Sequence, residues 1–167
     1  GITFSLDSTD ELICLETRNI SGETLAKVLK NIQRAVNNKH NGRLEEVGMN
    51  VVVSSANCKL EDVERTMSFA SLMGLDFVKF QPIFDDGYVT RNSPQLKLSA
   101  IHADEIRKIG DWISESTTLN TNTADFWFTL ASQTEGRTLV GGTCGIDDYQ
   151  SISMNLLFLQ VGKYIRK

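Results

Sequence analysis

Gly1-Ile2-Thr3-Phe4-Ser5-Leu6-Asp7 opens the chain on a short apolar run that ends on a hydroxyl and a carboxylate. A run that stops on polar residues ahead of a helical segment reads as a buried parallel strand with a functional carboxyl end. The arrangement recurs at Val47-Gly48-Met49-Asn50-Val51-Val52-Val53, which leads into Ser54-Ser55-Ala56-Asn57. It recurs again from Asp76 to Pro82, with Phe77, Val78 and Phe80 as the apolar content. Three consecutive valines favour a strand. Pro82 has no N–H to give a ladder and marks the end of the third run.

The segments between these runs have helical spacing. Ser21 stands where a cap belongs, with Glu23 in the first turn, and Leu25, Val28, Leu29, Ile32 and Val36 form one apolar stripe that stops at 37–42. Ahead of it, Ser8 to Glu11 reads as a polar loop and the residues up to Arg18 as a short mixed stretch. After the second strand, Asn57 is placed to cap a helix with Leu60, Val63, Met67 and Ala70 on one face and Gly74 at its C′ position. Strand, helix, strand, helix, strand implies βαβ units, a parallel sheet and an α/β fold.

Farther along, Asp85 to Pro94 is a loop longer than a simple βα turn, with Asp85 and Asp86 in it. A helix is expected from about Ser99, with Ala103, Ile106, Ile109 and Ile113 inward. Ser114 to Thr123 is polar and reads as a linker, which divides the chain into 1–118 and a small carboxyl-terminal extension, 119–167. In the extension, Asp125 to Ser132 reads as a strand or short helix, Gly141 to Gly145 as a turn, and Leu156 to Ile165 as an apolar run broken by Gly162.

Composition bounds the function. Net charge is −4, which disfavours nucleic acid and anionic membrane as partners. No apolar run approaches the roughly 20 residues of a membrane helix, and no signal-peptide pattern opens the chain. Cys14, Cys58 and Cys144 are too widely spaced for a disulfide framework or a CxxC site, so a reducing, cytoplasmic setting is the simplest reading. His40 and His102 lack partners at metal-ligand spacing.

In α/β sheets the chemistry collects at the carboxyl ends of the strands. Those ends carry Ser5 and Asp7, Ser54 and Asn57, and Gln81. As a set they fit a polar ligand over one rim as well as they fit a row of caps and turns; singly, each reads more readily as a turn or cap residue.

Taken in order, Ser5-Leu6-Asp7, Arg18, the helix, Val47 to Val53 with Asn57, and Phe77-Val78-Lys79-Phe80-Gln81-Pro82 resemble the second half of a radical S-adenosylmethionine enzyme. The likeness covers about residues 1 to 113 and corresponds to strands four to six of that family's partial, TIM-like (β/α)6 barrel. It implies that Ser5 meets the cofactor ribose, that Arg18 reaches its methionyl carboxylate, and that Gln81 lies by the adenine. Gly48 and Asn50 would face the substrate, a peptide or a small molecule. It implies no catalytic residue in this chain. Beside these roles, Arg18 also reads as a surface arginine paired with Glu16 or Glu23, and Asp7 as a structural acceptor in its loop.

The family's CxxxCxxC, whose thiolates hold a [4Fe–4S] cluster, does not occur here. The chain is therefore expected to be a carboxyl-side piece that does not cleave S-adenosylmethionine alone. Cys144, followed by Leu157 to Ile165, is similar to the start of an auxiliary-cluster hairpin of peptide-modifying members, with Cys144 as a metal ligand. The alternative is an iron-free (β/α) domain that binds a ligand or a partner. In such a truncated piece of the radical enzyme the first strand, Ile2 to Leu6, has lost its upstream neighbour, so its edge is expected to be open and to pair two copies as a homodimer.

Overall fold

The computed structural model describes residues 1–83, 92–116 and 119–136. Within them the chain runs β1 (Ile2–Ser5), α1 (Glu11–Arg18), α2 (Gly22–His40), β2 (Val47–Val53), α3 (Leu60–Met73) and β3 (Phe77–Pro82). Two 3-10 turns, Pro94–Leu96 and Ala100–His102, lead to α4 (Ala103–Ser116) and then α5 (Ala124–Thr134). The α/β expectation stands: three parallel strands and five helices.

The strands lie in chain order, β1-β2-β3, with Phe4 opposite Met49, Ser5 opposite Asn50, and Asn50 opposite Lys79. This register sorts the side chains into two faces, since successive residues of a strand point to opposite sides. On one face Val47, Met49, Val51 and Val53 join Val78, Phe80 and Leu6 in the hydrophobic core. The same core takes Ile32 and Val36 of α2, Val63 and Met67 of α3, Ile106 and Ile109 of α4, and Trp127 of α5. Each fully buried aliphatic side chain there is worth about 1.5–3 kcal/mol. Thr3, Ser5, Asn50, Lys79 and Gln81 occupy the opposite face, outside that core.

Sheet and helices are pinned at both the base and the flank. At the base, Asp76 accepts the Val47 N–H (2.8 Å) and pairs with Lys39 (2.8 Å), which also donates to the Gly74 carbonyl. Gly74 ends α3 at φ 75°, as its C′ role requires. At the flank, the Val78 N–H donates to the Asn120 carbonyl (3.0 Å). The buried Asn122 carboxamide accepts the Phe80 N–H (2.7 Å) and donates to the Phe80 carbonyl (3.0 Å). One amide side chain thus does for β3 what a peptide group of a fourth strand would do.

Three sequence expectations change. The stretch before Arg18 is a helix, because the Asp10 carboxylate accepts the N–H groups of Leu12 and Ile13. Asn57 does not cap α3; Lys59 holds the cap position without a side-chain bond, and Asn57 is engaged elsewhere. The polar run 114–123 is not a free spacer, since α4 reaches Ser116 and Asn120 and Asn122 bind β3. Asp125 to Ser132 is helical, and Trp127 packs between Phe80 and Phe126 with ring centroids 5.1 Å from each. Cys144, Asp85, Asp86 and residues 141–165 lie outside the described residues.

Candidate functional site

At the carboxyl rim, β1 hands over to Asp7, whose side chain is 6 % exposed. A carboxylate so placed needs a full set of donors. Arg18, at the end of α1, gives two: Nε to Oδ2 at 2.6 Å and Nη2 to Oδ1 at 2.9 Å. The Val52 N–H gives the third, to Oδ1 at 3.0 Å. Nη2 also donates to Ser5 Oγ at 2.9 Å. The hydrogen bond to Asp7 pushes the Arg18 guanidinium above its ordinary value, burial working the other way. The partner of Arg18 is therefore Asp7, and neither Glu16 nor Glu23.

α1 is what brings Arg18 to this place. Asp10 starts the helix, the buried Cys14 anchors it by donating to the Ser8 carbonyl (2.9 Å), and Asn19 ends it in the left-handed region at φ 53°. Arg18 is then the last helical residue, over the tip of β1.

Asn57 fixes the neighbouring tip. Its Nδ2 donates to the carbonyls of Asp7 and Val52, both at 2.9 Å, and its Oδ1 accepts from Ser54 N (2.8 Å) and Ser54 Oγ (3.2 Å). The turn after β2 and the residue after β1 are thereby held at one height. A cavity of about 210 Å³ opens there, lined by Asp7, Thr17, Arg18, Val52, Ser54, Ile83 and Leu96. Its polar wall is the Asp7–Arg18 ion pair with Thr17 and Ser54, and Val52, Ile83 and Leu96 supply the apolar part. The Nη1 group of Arg18 has no hydrogen-bond partner among the described residues.

Of the residues singled out in the sequence, Ser5 and Arg18 are in contact. Asn50 is the register partner of Ser5, and Gln81 pairs with Val52 on the same face. Neither Asn50 nor Gln81 lines the cavity, and their side chains make no hydrogen bond among the described residues. Gly48 is buried because the Phe77 ring lies across it; a Cβ there would stand 2.1 Å from that ring. Its lack of a side chain admits Phe77, which leaves no opening above Gly48 itself.

Sequence reasoning gave Asp7 and Asn57 too little weight. Asp7 carries the arginine, and Asn57 binds two strand ends together. The signal for Asp7 was a carboxylate directly after an apolar run and next to the buried Leu6, where an unpaired charge is untenable. β1 itself, expected to be buried, is largely exposed, since among the described strands only β2 pairs with it. Thr17, Ile83 and Leu96 gave no signal.

Among the described residues no group of three or more His, Cys, Asp or Glu is arranged to hold a metal ion. Cys14 and Cys58 are separate buried thiols, both raised by burial, Cys58 to about 11. No family model matches the chain, and no curated protein or solved structure matches it. No described helix is long and apolar enough to cross a membrane.

Proposed function

We propose that this chain is the carboxyl-side half of the partial (β/α)6 barrel of a radical S-adenosylmethionine enzyme. In this reading Ser5, Arg18 and Gln81 contact the cofactor and Asn50 borders a peptide or small-molecule substrate, Gly48 serving that face only by admitting the Phe77 ring. The observation that carries it is Arg18, which is fixed by Asp7 and Ser5 at the strand tips, has no partner for Nη1 among the described residues, and lines a cavity with Val52, Ile83 and Leu96 on its apolar side. A guanidinium held on one side and open on the other suits a carboxylate attached to a hydrophobic body. The strand order accommodates a barrel sector as well. β1, β2, β3 and the Asn120–Asn122 flank follow chain order, as the strands of a barrel sector do and as those within one half of a doubly wound sheet also do.

The described residues fit the cofactor's carboxylate but offer no ligand set for a [4Fe–4S] cluster. In the proposal that cluster is held upstream of Gly1, and Cys144 serves an auxiliary cluster in the extension. When bound, cluster and cofactor would supply reductive cleavage and hydrogen abstraction. The chain's own residues bind and orient, the 167-residue piece does not perform the cleavage, and the setting is the cytoplasm. Reading the coding sequence upstream of Gly1 is the decisive experiment. A CxxxCxxC triplet there is expected. An open reading frame without one leaves an iron-free (β/α) binding domain and ends the proposal.

A further inference from the structure

Register across the sheet sets Ser5, Asn50 and Lys79 in one row, one residue from each strand. They stand on the face away from the hydrophobic core, with neighbouring strands about 4.8 Å apart. Ser5 is exposed, and Asn50 and Lys79 are half-buried. In the next row toward the base of the strands, the Phe77 ring lies across Gly48 and gives this face an apolar floor. No strand position on the face is acidic, although acids outnumber bases 21 to 17 in the whole chain. The charge that the strands themselves set there is therefore positive, at Lys79.

Two members of the row are incompletely engaged. A lysine has three N–H groups to give. Lys79 Nζ gives one to Asn120 Oδ1 (2.9 Å) and one to the Thr121 carbonyl (3.4 Å). Both acceptors are neutral, and Lys79 has no carboxylate partner among the described residues. They hold the ammonium in place, leave its charge uncompensated and leave the third N–H to give. Asn50 interrupts a strand of valines with a carboxamide that bonds nothing among the described residues. Asparagine is disfavoured in strands, and a position that breaks a local rule without a structural gain is where function is expected. Arg18, which reaches the same row through Ser5, differs in having Asp7 as its counter-ion.

We propose that Lys79 and Asn50 bind a carboxylate on the substrate, each donating to one of its oxygens, while the aliphatic stem that carries it rests on the Phe77 ring. A bond from an ammonium to a carboxylate is of the strong, charge-assisted kind. One ammonium balances one negative charge, which favours a carboxylate over a phosphate dianion. The substrate is thus an aliphatic acid, supplied either by the side chain of an acidic residue in a peptide or by a small carboxylic acid. The inference rests on the radical-enzyme reading of this face as the substrate side, with Ser5, Arg18 and Gln81 left to the cofactor. To that reading it adds Lys79 and the chemical class of the substrate.

Nuclear magnetic resonance titration of the 167-residue chain tests it with four probes. They are the α-amide of N-acetylglutamate, whose only charge is its side-chain carboxylate, the uncharged glutamine counterpart, glutarate and inorganic phosphate. The glutamate probe should shift the side-chain signals of Asn50 and Lys79 and bind about tenfold more tightly than the glutamine probe. Whichever of the glutamate probe and glutarate binds more tightly identifies the source of the carboxylate. Lys79→Met should abolish the preference for the charged probe. Asn50→Asp, at a side chain that no bond among the described residues uses, sets a like charge in the row. It should weaken the glutamate probe about tenfold without weakening the glutamine probe, and it decides alone if Lys79→Met fails to fold. Equal binding of the two probes, unaltered preference in the variants, or phosphate bound more tightly than either carboxylate overturns the inference. None of these outcomes touches Arg18 or its cofactor. Conversely, a coding sequence without CxxxCxxC ends the radical-enzyme reading and leaves what the probes measure unchanged.

Discussion

Arg18 grips Asp7 with two hydrogen bonds, and the two partners are unequally buried: 6 % of the Asp7 side chain is exposed against 33 % of Arg18. The pair is therefore a buried carboxylate with a half-wet cation. Replacing the cation strands the carboxylate with only the Val52 N–H. Arg18→Met should cost about 2–3 kcal/mol, less than a fully buried pair because water already reaches the guanidinium. Asp7→Asn should cost less, and the double variant less than the sum, because the second change removes a charge the first left unpaired. Urea unfolding of the four proteins checks this, and strict additivity would show that the pair is not coupled.

Asn57 uses every hydrogen-bonding position of its carboxamide, two as donor and two as acceptor. Asn57→Ala should destabilise by about 2–4 kcal/mol, leaving buried carbonyls and the Ser54 N–H without partners. Asn57→Asp should not rescue, although it keeps the shape and the acceptor. It loses both donations and sets a negative charge against the Asp7 and Val52 carbonyls. Thermal melts decide; an aspartate variant melting with the wild type would mean that Nδ2 contributes nothing.

The periodic elements were legible in the sequence, and the connections between them were not. β2 and α2 announce themselves through local alternation and a long apolar stripe, and Gly74 through its place after α3. The flank of β3 is different: Asn122 acts across 42 residues on Phe80, and nothing local distinguishes it from the other asparagines of a polar run. Asn57 misled for the same reason. A residue type that caps helices is also one that ties turns, and only the tertiary partner decides between the two. The strand ends were legible, yet of Ser5, Asn50 and Gln81 none lines the cavity, whose wall draws on α1 and the Pro94–Leu96 turn, placed by packing.

Two buried or half-buried carboxyl groups should tilt the pH dependence of stability in opposite directions. Burial pushes Asp76 up, but the Lys39 and Val47 hydrogen bonds and the Lys39 charge together hold it below 3.8. The unfolded chain takes up its proton first, so the stability from Asp76 is complete above 3.8 and drains as pH falls through the lower folded value. Asp62 is the reverse: burial raises it, Arg65 opposing, so the folded chain binds the proton first and the penalty grows as pH rises past 3.8. Relative to wild type, Asp76→Asn should lose stability and Asp62→Asn gain it as pH goes from about 3 to about 7. Urea midpoints at both pH values test the signs, and parallel shifts would refute the assignment.

Cys58 should be inert while the chain is folded. It is 1 % exposed, burial moves its thiol to about 11, and its hydrogen donates to the Ser55 carbonyl at 3.7 Å. At pH 8 about one thiol in 1,000 is then ionised, against roughly a quarter for an unperturbed cysteine. Site-resolved mass spectrometry after brief alkylation should find Cys58 unmodified in buffer and modified in denaturant. Rapid labelling in buffer would show that the turn holding Ser54, Asn57 and Cys58 opens readily.

Ligand discrimination at Arg18 follows from how its donors are divided. Nε and Nη2 are committed to Asp7 and Ser5, and Nη1 alone remains for a ligand. If the cavity takes the methionyl end of S-adenosylmethionine, the carboxamide analogue of that ligand should bind about tenfold more weakly, having lost a charge-assisted bond. Arg18→Lys should not restore binding. A single ammonium cannot hold Asp7 at two oxygens and still reach outward, and the planar fork performs both tasks only because its geometry is fixed. Nuclear magnetic resonance titration of the 167-residue chain with each compound measures both effects, through the amides of Ser5, Asp7 and Arg18. Equal affinity for the acid and the amide, or full rescue by lysine, would mean that Arg18 braces the rim without touching a ligand.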